Sequence, residues 1–459
     1  MKKYLSALLS VLLIVSFPGT LLAVGSAGFE NASYSAKSIS QANAVVARPQ
    51  DGSTIMINPA GLVELEGVQF DAGLQYLDWR IFHKDRATGD FNQNNPKLVL
   101  IPTFNVVMNP GELFDNRVAL GLAVNSPFGI SSSFPSIGMA RYTGYKNDLK
   151  TIAATMAGAI KVTDWLDIGG GATHYWVTDY GQMYNYPNGF ILGAPGTPDG
   201  KATVETSGHG WGWNTGILLK PLPHHKVGVS YRSRADIKVR GRLMIDDLVL
   251  GGLQGYDTFP YFETGAHSKL QFPSCLTMGY AYEPSSKWAA EFDIGLTNWQ
   301  VFKNQNFTFD RPTPLLVALG SVPRDYQFTW NFHWGGHYQV TKKLDLLGGF
   351  YFYQAASPKE HVDNFIPDAN RFGWTPGFSY QFNDHFNFDF NYLFVLFARR
   401  SISNPSVLAK TGESIDGRYT SIVNGVFVTL RYQFDFPFGK KKDEPNRAIQ
   451  IPGIIEGTP

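Results

Sequence analysis

The sequence predicts an all-β fold: a 14-stranded antiparallel transmembrane β-barrel with an N-terminal hatch inside its lumen. Three observations carry that reading. Stretches of about ten residues alternate between an apolar, often aromatic face and a polar one, the period of a strand with lipid on one side and water on the other. Short and long connections between those stretches alternate in turn. No stretch reaches the roughly 20 apolar residues of a spanning helix, so a membrane role would fall to a closed barrel.

The leader comes first. Lys2 and Lys3 precede an apolar run from Leu5 to Val15, then Pro18-Gly19 and the small residues of "LLAVGSAGF". This is the pattern of a cleaved secretory signal peptide, residues 1–26, and the run is short for an anchor. The leader holds two lysines and no acid, so cleavage leaves 37 basic against 38 acidic residues and turns a net charge of +1 into −1. No basic surface remains to suggest a nucleic-acid partner. A single cysteine, Cys275, excludes an intramolecular disulfide and a thiolate metal site, and no cofactor is expected. The 47 glycines, 34 phenylalanines and 22 tyrosines, with a mean hydropathy of −0.14, fit a chain half facing lipid and half facing a lumen. A large soluble β-protein averages the same way, so composition alone does not choose.

The strands choose. In "VFVTLRYQFDF" Val428, Leu430, Tyr432, Phe434 and Phe436 oppose Phe427, Thr429, Arg431, Gln433 and Asp435. "FNFDFNYLF" and "WAAEFDIGL" repeat the pattern, with Asp389, Glu291 and Asp293 on the inward face. Strands are expected near 67–82, 97–108, 117–132, 149–162, 166–181, 202–220, 225–245, 265–283, 288–309, 324–341, 344–356, 371–383, 386–402 and 420–436. The turns at 163–165, 221–224, 284–287, 342 and 384–385 are short. The connections at 83–96, 133–148, 182–201, 246–264, 310–323, 357–370 and 403–419 are long. Short periplasmic turns and long external loops are the asymmetry of an outer-membrane barrel, which a sandwich has no reason to keep.

Two departures from regularity point to a path. The third strand meets Asn125-Ser126-Pro127-Phe128-Gly129, where proline cannot donate to a ladder and glycine has no side chain to pack, so pairing should fail there. A simple strand end is the alternative. Residues 27–66 lack alternation, and Asn58-Pro59-Ala60-Gly61 is a turn signal. A fourteen-stranded barrel is wider than side chains can fill, so these residues are expected to plug it, ahead of a barrel at 67–438 and a periplasmic tail at 439–459.

The ordered set "AGFEN" (27–31), "DGSTIMINPAGL" (51–62), "VALGLAVNSPFGIS" (118–131), "GWGWNTGILLKP", "KVGVSYRSRADIKVRG", "EFDIGLTNWQVF" and "IPDANRFGWTPGFSYQFND" resembles the outer-membrane transporters of long-chain fatty acids and aromatic hydrocarbons, the FadL and TodX type. The tail beyond Phe436 or Phe438 departs from that pattern, in which such barrels usually stop at the terminal aromatic. The resemblance implies transport without chemistry. A hydrophobic ligand, most simply a long-chain fatty acid, would be caught among the external loops, held in a lumenal pocket, and released through the third-strand kink as the hatch, Phe29 included, shifts. It implies residence in the outer membrane among lipid and lipopolysaccharide, delivery by the barrel-assembly machinery, and a monomer.

Candidate ligand contacts are Phe190, Ile191 and Leu192 in one long loop and Leu248, Leu250, Leu253, Tyr256 and Phe259 in another. Apolar loops facing water need a reason; a lid in which they pack on each other is the other one. Arg141 and the pair Arg232 and Arg234, taken as inward-facing, are candidates for a substrate carboxylate, with pairing to lumenal acids as the alternative. Enzymatic readings fare worse. His333 and His337 lie about 13 Å apart on a strand, too far to share a metal ion, and Gly169-Gly170-Gly171 sits inside a strand, where it is expected to ease curvature. A plugged barrel serving as a surface or secretion scaffold is the competing non-transport function, and an outer-membrane lipase a weaker one.

Overall fold

The computed structural model describes residues 28–194, 196–252, 255–312, 316 and 320–435. The expected signal peptide, Leu253, the last aromatics Phe436 and Phe438 and the tail at 439–459 lie outside the described residues, as do the side chains of Ile191, Leu250 and Tyr256.

Fourteen antiparallel strands close into a barrel. In chain order the wall is β1 (Val68–Asp85), β2 (Val99–Met108), β3 (Val118–Asn125, then Gly129–Ser133), β4 (Lys146–Thr163) and β5 (Leu166–Tyr186). It continues with β6 (Gly200–Leu222), β7 (His225–Arg232, then Ala235–Gly252), β8 (Gly255–Phe272, then Cys275–Ser285) and β9 (Trp288–Asn298, then Asn304–Phe309). The last five are β10 (Phe328–Gln339), β11 (Leu344–Tyr353), β12 (Arg371–Trp374, then Gly377–Gln381), β13 (Phe386–Phe397) and β14 (Gly417–Phe434). Closure comes from β1, which pairs with β2 from Val68↔Met108 and with β14 from Val68↔Phe434 to Asp85↔Gly417. Phe427, Thr429, Arg431, Asp389, Glu291 and Asp293 are buried inside, while Leu430 and Tyr432 face out, as the alternation requires.

The wall is less regular than its pattern. The expected loop at 246–264 is largely a hairpin, since β7 and β8 stay paired up to Gly252↔Gly255 in one register, with a single unpaired position at Asp247, where φ is 56°. Its apolar run hid the alternation. Other strands besides β3 are interrupted. β7 breaks at Ser233-Arg234 and β8 opposite it at Pro273-Ser274, so pairing jumps from Arg232↔Cys275 to Ala235↔Phe272. β9 breaks at 299–303 and β12 at Thr375-Pro376. Both prolines lack the N–H a ladder needs.

Residues 28–66 form two short helices, α1 (Ala36–Ser40) and α2 (Thr54–Ile57), and a 3-10 helix at Pro59–Glu64. Their hydrogen bonds reach side chains all round the wall. The Ala36 amide donates to Thr429 on β14 (2.9 Å), Gly52 to Asp71 on β1 (2.7 Å) and Ala47 to Glu291 on β9 (2.6 Å). Asn214 on β6 donates to the Ile55 carbonyl (2.8 Å), and His333 Nδ1 on β10 lies 2.7 Å from that of Ala42. Small inward residues on β3 and β4, Ala119, Ala123, Ala157 and Ala159, leave room for Ile55, Met56, Leu62 and Val63 to pack against them.

Candidate transport path

The turn at Asn58–Gly61 is closed by the Gly61 amide on the Asn58 carbonyl (3.0 Å), and Pro59 opens the 3-10 helix, where a missing N–H costs nothing. The Asn58 side chain accepts from the Ala60 amide (3.2 Å) and donates to the carbonyls of Val46 (2.7 Å) and of Ile217 on β6 (3.1 Å). One carboxamide thus ties the turn to itself, to the neighbouring loop and to the wall. The wall makes way by losing side chains: a Cβ at Gly169 would stand 2.5 Å from the Pro59 carbonyl carbon, and one at Gly216 would collide with Asn58. Close approach, not curvature alone, is therefore what Gly169 serves.

A charged anchor lies nearby. Arg431 on β14 reaches Asp51 (3.3 Å), Asp71 on β1 (3.1 Å) and Asp389 on β13 (2.9 Å), all four side chains buried. Asp51 also takes the Ser35 hydroxyl at 2.6 Å and the Ser53 amide at 2.9 Å. Arg48 lies 3.7 Å from Glu291, and Val46 donates to Asp293 at 3.3 Å. Alternation places Arg431 and Asp389 on the inward face; Asp51 and Arg48, which complete the network from the N-terminal segment, carry no local sequence signal.

At the other end of that segment, the chain pairs with the break in β3. The Asn31 amide donates to the Pro127 carbonyl (2.7 Å), the Gly129 amide donates to the Phe29 carbonyl (2.8 Å), and Glu30 forms a bridge with Phe128. The Asn31 side chain adds a bond to the Ser126 carbonyl (3.2 Å). The ladder to β4 runs to Asn125↔Ala153 and resumes at Gly129↔Lys150, so three residues of the third strand leave the wall. Phe29 sits among Phe128, Phe272, Trp299 and Phe302 with ring centroids 4.8 to 6.2 Å away, and Phe128 stacks on Phe272 at 4.0 Å. Trp299 and the break at Pro273 were not singled out in the sequence. Asn125 is buried beside them, its carboxamide without a hydrogen-bond partner among the described residues.

A cleft next to this cluster is lined by Gly28, Trp79, Ile130, Ile366, Pro367, Asp368, Arg371 and Phe397 and has a free volume of about 10 Å³, the space of one water. Asp368 holds the Gly28 amide at 3.4 Å and takes the amides of Ala356 (2.6 Å) and Ser357 (3.0 Å).

The three candidate cations all have protein carboxylates. Arg141 forms a two-pronged pair with Glu413, one arm at 2.9 Å. Arg232 points inward to Glu30, its guanidinium 5.0 Å over the Phe128 ring and 3.4 Å from the Tyr34 hydroxyl. Burial pushes the Tyr34 phenol well above its ordinary pKa, so it stays neutral beside Arg232. Arg234 does not face the lumen. The break at Ser233-Arg234 shifts the alternation by one, turning Arg234 outward onto Asp236 at 2.8 Å.

Among the loop candidates, Leu248 is buried with Tyr186, Ala202, Val204, Leu243 and Ile245, while Phe190 and Phe259 are 50% and 40% exposed and Leu192 is half-buried. Phe190 and Leu192 belong to a short helix, α3 (Asn188–Leu192). Asn188 docks it on the β7–β8 hairpin, donating to the Asp247 carbonyl at 2.8 Å and accepting from the Val249 amide at 3.2 Å. The two apolar segments are thus joined by a residue that pattern did not reveal.

Comparison with known proteins gives this arrangement its context. Outer membrane protein P1 of Haemophilus influenzae is 24% identical over 444 residues, covering 86% of this chain and 90% of the relative. The long-chain fatty acid transport protein of Escherichia coli O6:H1 is 23% identical over 389 residues, covering 79% and 85%. The crystal structure of a Pseudomonas aeruginosa FadL homologue superposes with a TM-score of 0.75 at 19% identity, covering 89% of this chain and all of that one. The toluene transporter TodX of Pseudomonas putida gives 0.68 at 17% identity, covering 88% and 99%. At such identities the structures speak for the fold. The profile of the family described as outer membrane protein transport protein (OMPP1/FadL/TodX) matches residues 21–436, and the chain belongs to that family of outer-membrane transport proteins, which are channels and not enzymes.

Proposed function

We propose that the protein takes up long-chain fatty acids across the outer membrane: the joined loops capture them, residues 28–66 act as a hatch, and the break in β3 is the exit to lipid. The observation that carries this reading is the pairing of Phe29, Glu30 and Asn31 with Ser126–Gly129. The strand leaves its ladder there, and the segment that begins at Gly28 pairs with it instead. With about 10 Å³ free in the adjoining cleft, an acyl chain has no room there unless the lining, Gly28 included, is displaced. Sideways exit also suits the cargo, since each CH₂ delivered to water instead of lipid forfeits about 0.8 kcal/mol. The fatty-acid assignment follows the name of the Escherichia coli relative. One observation favours neutral aromatic hydrocarbons instead: Arg141, Arg232 and Arg234 are each committed to a protein carboxylate.

The test is to straighten β3 with Ser126→Thr, Pro127→Val, Phe128→Thr and Gly129→Val together. Uptake of a labelled long-chain fatty acid by whole cells should fall at least tenfold while binding at the surface persists. Full uptake by a variant shown to be straightened would rule out the lateral route. Competition by the matching long-chain alcohol, or by toluene, at equal strength to the acid would move the assignment to neutral cargo.

A further inference from the structure

The outer surface of β6, β7 and β8 carries charge where a barrel wall meets lipid. On β7 Ile237 and Val239 are fully buried inside, so Lys238 and Arg240 between and beyond them face outward and are exposed. Strand register then sets His209, Lys238 and Lys269 side by side on β6, β7 and β8, and Ser207, Arg240 and His267 in the next outward row. Neighbours in a row stand about 4.8 Å apart across strands, and rows about 7 Å apart along them. Five of these six side chains are basic or imidazole.

The acids nearby are already shared out. Asp236 serves both Arg234 (2.8 Å) and Lys269 (2.9 Å), Glu205 meets Arg242 (3.3 Å), and Asp310 meets His267 (2.8 Å). Lys238 and Arg240 have no ion-pair partner among the described residues. They cannot serve lumenal cargo, because they face away from the lumen.

Their height is set by the strands. Lys238 lies 13 residues above His225, at the short-turn end of β7, and His209 lies 13 above Leu222 on β6. At about 3.3 Å per residue and a tilt near 45°, that is about 30 Å, one hydrocarbon thickness above the periplasmic edge. Trp211 and Trp213, outward on β6 and 66% and 51% exposed, lie just below His209, and Trp176 on β5 is its register partner. Aromatic side chains at that level mark the interface. The cations therefore stand where the headgroups of the outer leaflet are, above an aromatic surface that suits acyl chains.

We propose that this face binds lipopolysaccharide, with the phosphates of its lipid A held by Lys238, Arg240 and Lys269 and its acyl chains lying over Trp211 and Trp213. Basic clusters at a membrane surface take anionic headgroups in this way, by charge-assisted hydrogen bonds. The site rests on the outer-membrane location and is independent of the cargo.

The test is native mass spectrometry of the full mature protein in detergent, titrated with bisphosphorylated lipid A and with the same lipid stripped of phosphate. The wild-type protein should bind the phosphorylated form about tenfold more tightly. The double variant Lys238→Ser, Arg240→Ser should fall to the phosphate-free level, and Lys84→Ser, removing an exposed cation from β1, should bind as wild type. Equal binding of the two lipids by the wild type overturns the site, and that comparison decides alone if the double variant loses its heat-modifiable mobility. Full binding by a folded double variant, or the same loss in the Lys84 variant, overturns it too. So does equal competition by phosphatidylglycerol, which would make the face a generic anion patch.

Discussion

Two parts of the segment 28–66 are held to the same barrel by different balances of contact. Around Asp51 the hold is ionic and redundant: one guanidinium, three carboxylates, and the backbone amides of Ser53 on Asp51 and Gly52 on Asp71. Around Phe29 it is a ring among rings, two backbone hydrogen bonds to a strand that has left its ladder, and a single ion pair, Glu30 with Arg232. A buried ion network resists piecemeal change, because removing one member strands the others in low dielectric. An aromatic cluster has no such penalty when the intruder is itself apolar, since an acyl chain replaces one apolar contact with another. On the function proposed above, the difference would let one short segment be both fixture and gate, fastened by a charge network around Asp51 and closed mainly by apolar contact around Phe29.

The comparison breaks most visibly at the anchor. Arg431→Met leaves Asp51, Asp71 and Asp389 buried without a counter-charge and should cost about 3–5 kcal/mol. The readouts are the heat-modifiability midpoint and planar-bilayer conductance, and an unshifted midpoint with a closed trace would show that the ionic hold is dispensable. Phe29→Ala should cost about 3 kcal/mol, but locally. Hydrogen exchange should quicken at the Asn31 and Gly129 amides, which bridge the tip and the kink, and stay slow at Gly52, which donates to Asp71. Equal loss at all three would mean that tip and anchor move as one. The smallest effect belongs to Asn58→Ala, which removes two donated bonds and should lower stability by about 1–2 kcal/mol without opening the kink. Unfolding in urea, with fatty-acid uptake as the control, checks it.

Much of the barrel was legible. Alternation through Phe386–Phe394 and Val426–Phe434 is a local property, since successive side chains point to opposite faces whatever the strand pairs with. Pro127 and Gly129 likewise announce a break in β3 through backbone chemistry alone, and Asn58-Pro59-Ala60-Gly61 announces its turn. The site was legible only in part. Alternation carried straight through β7 points Arg234 inward, whereas one slipped residue at the Ser233-Arg234 break reverses every face beyond it. The apolar run of 246–264 reads as a loop because it lacks alternation, yet most of its residues pair across a hairpin.

What the sequence by itself determined is what each residue does within its own strand or turn: the period, the strand count, the kink, the capped turn. Only the tertiary structure decided which residues meet. Asp51 and Arg431 are 380 positions apart, and Arg232 and Glu30 are 202 apart. Their contact depends on the closing of β1 on β14 and on the segment 28–66 lying against the strands it precedes. Periodicity is written residue by residue; a meeting across a closed barrel depends on the curvature and register of all fourteen strands together, which no local pattern encodes.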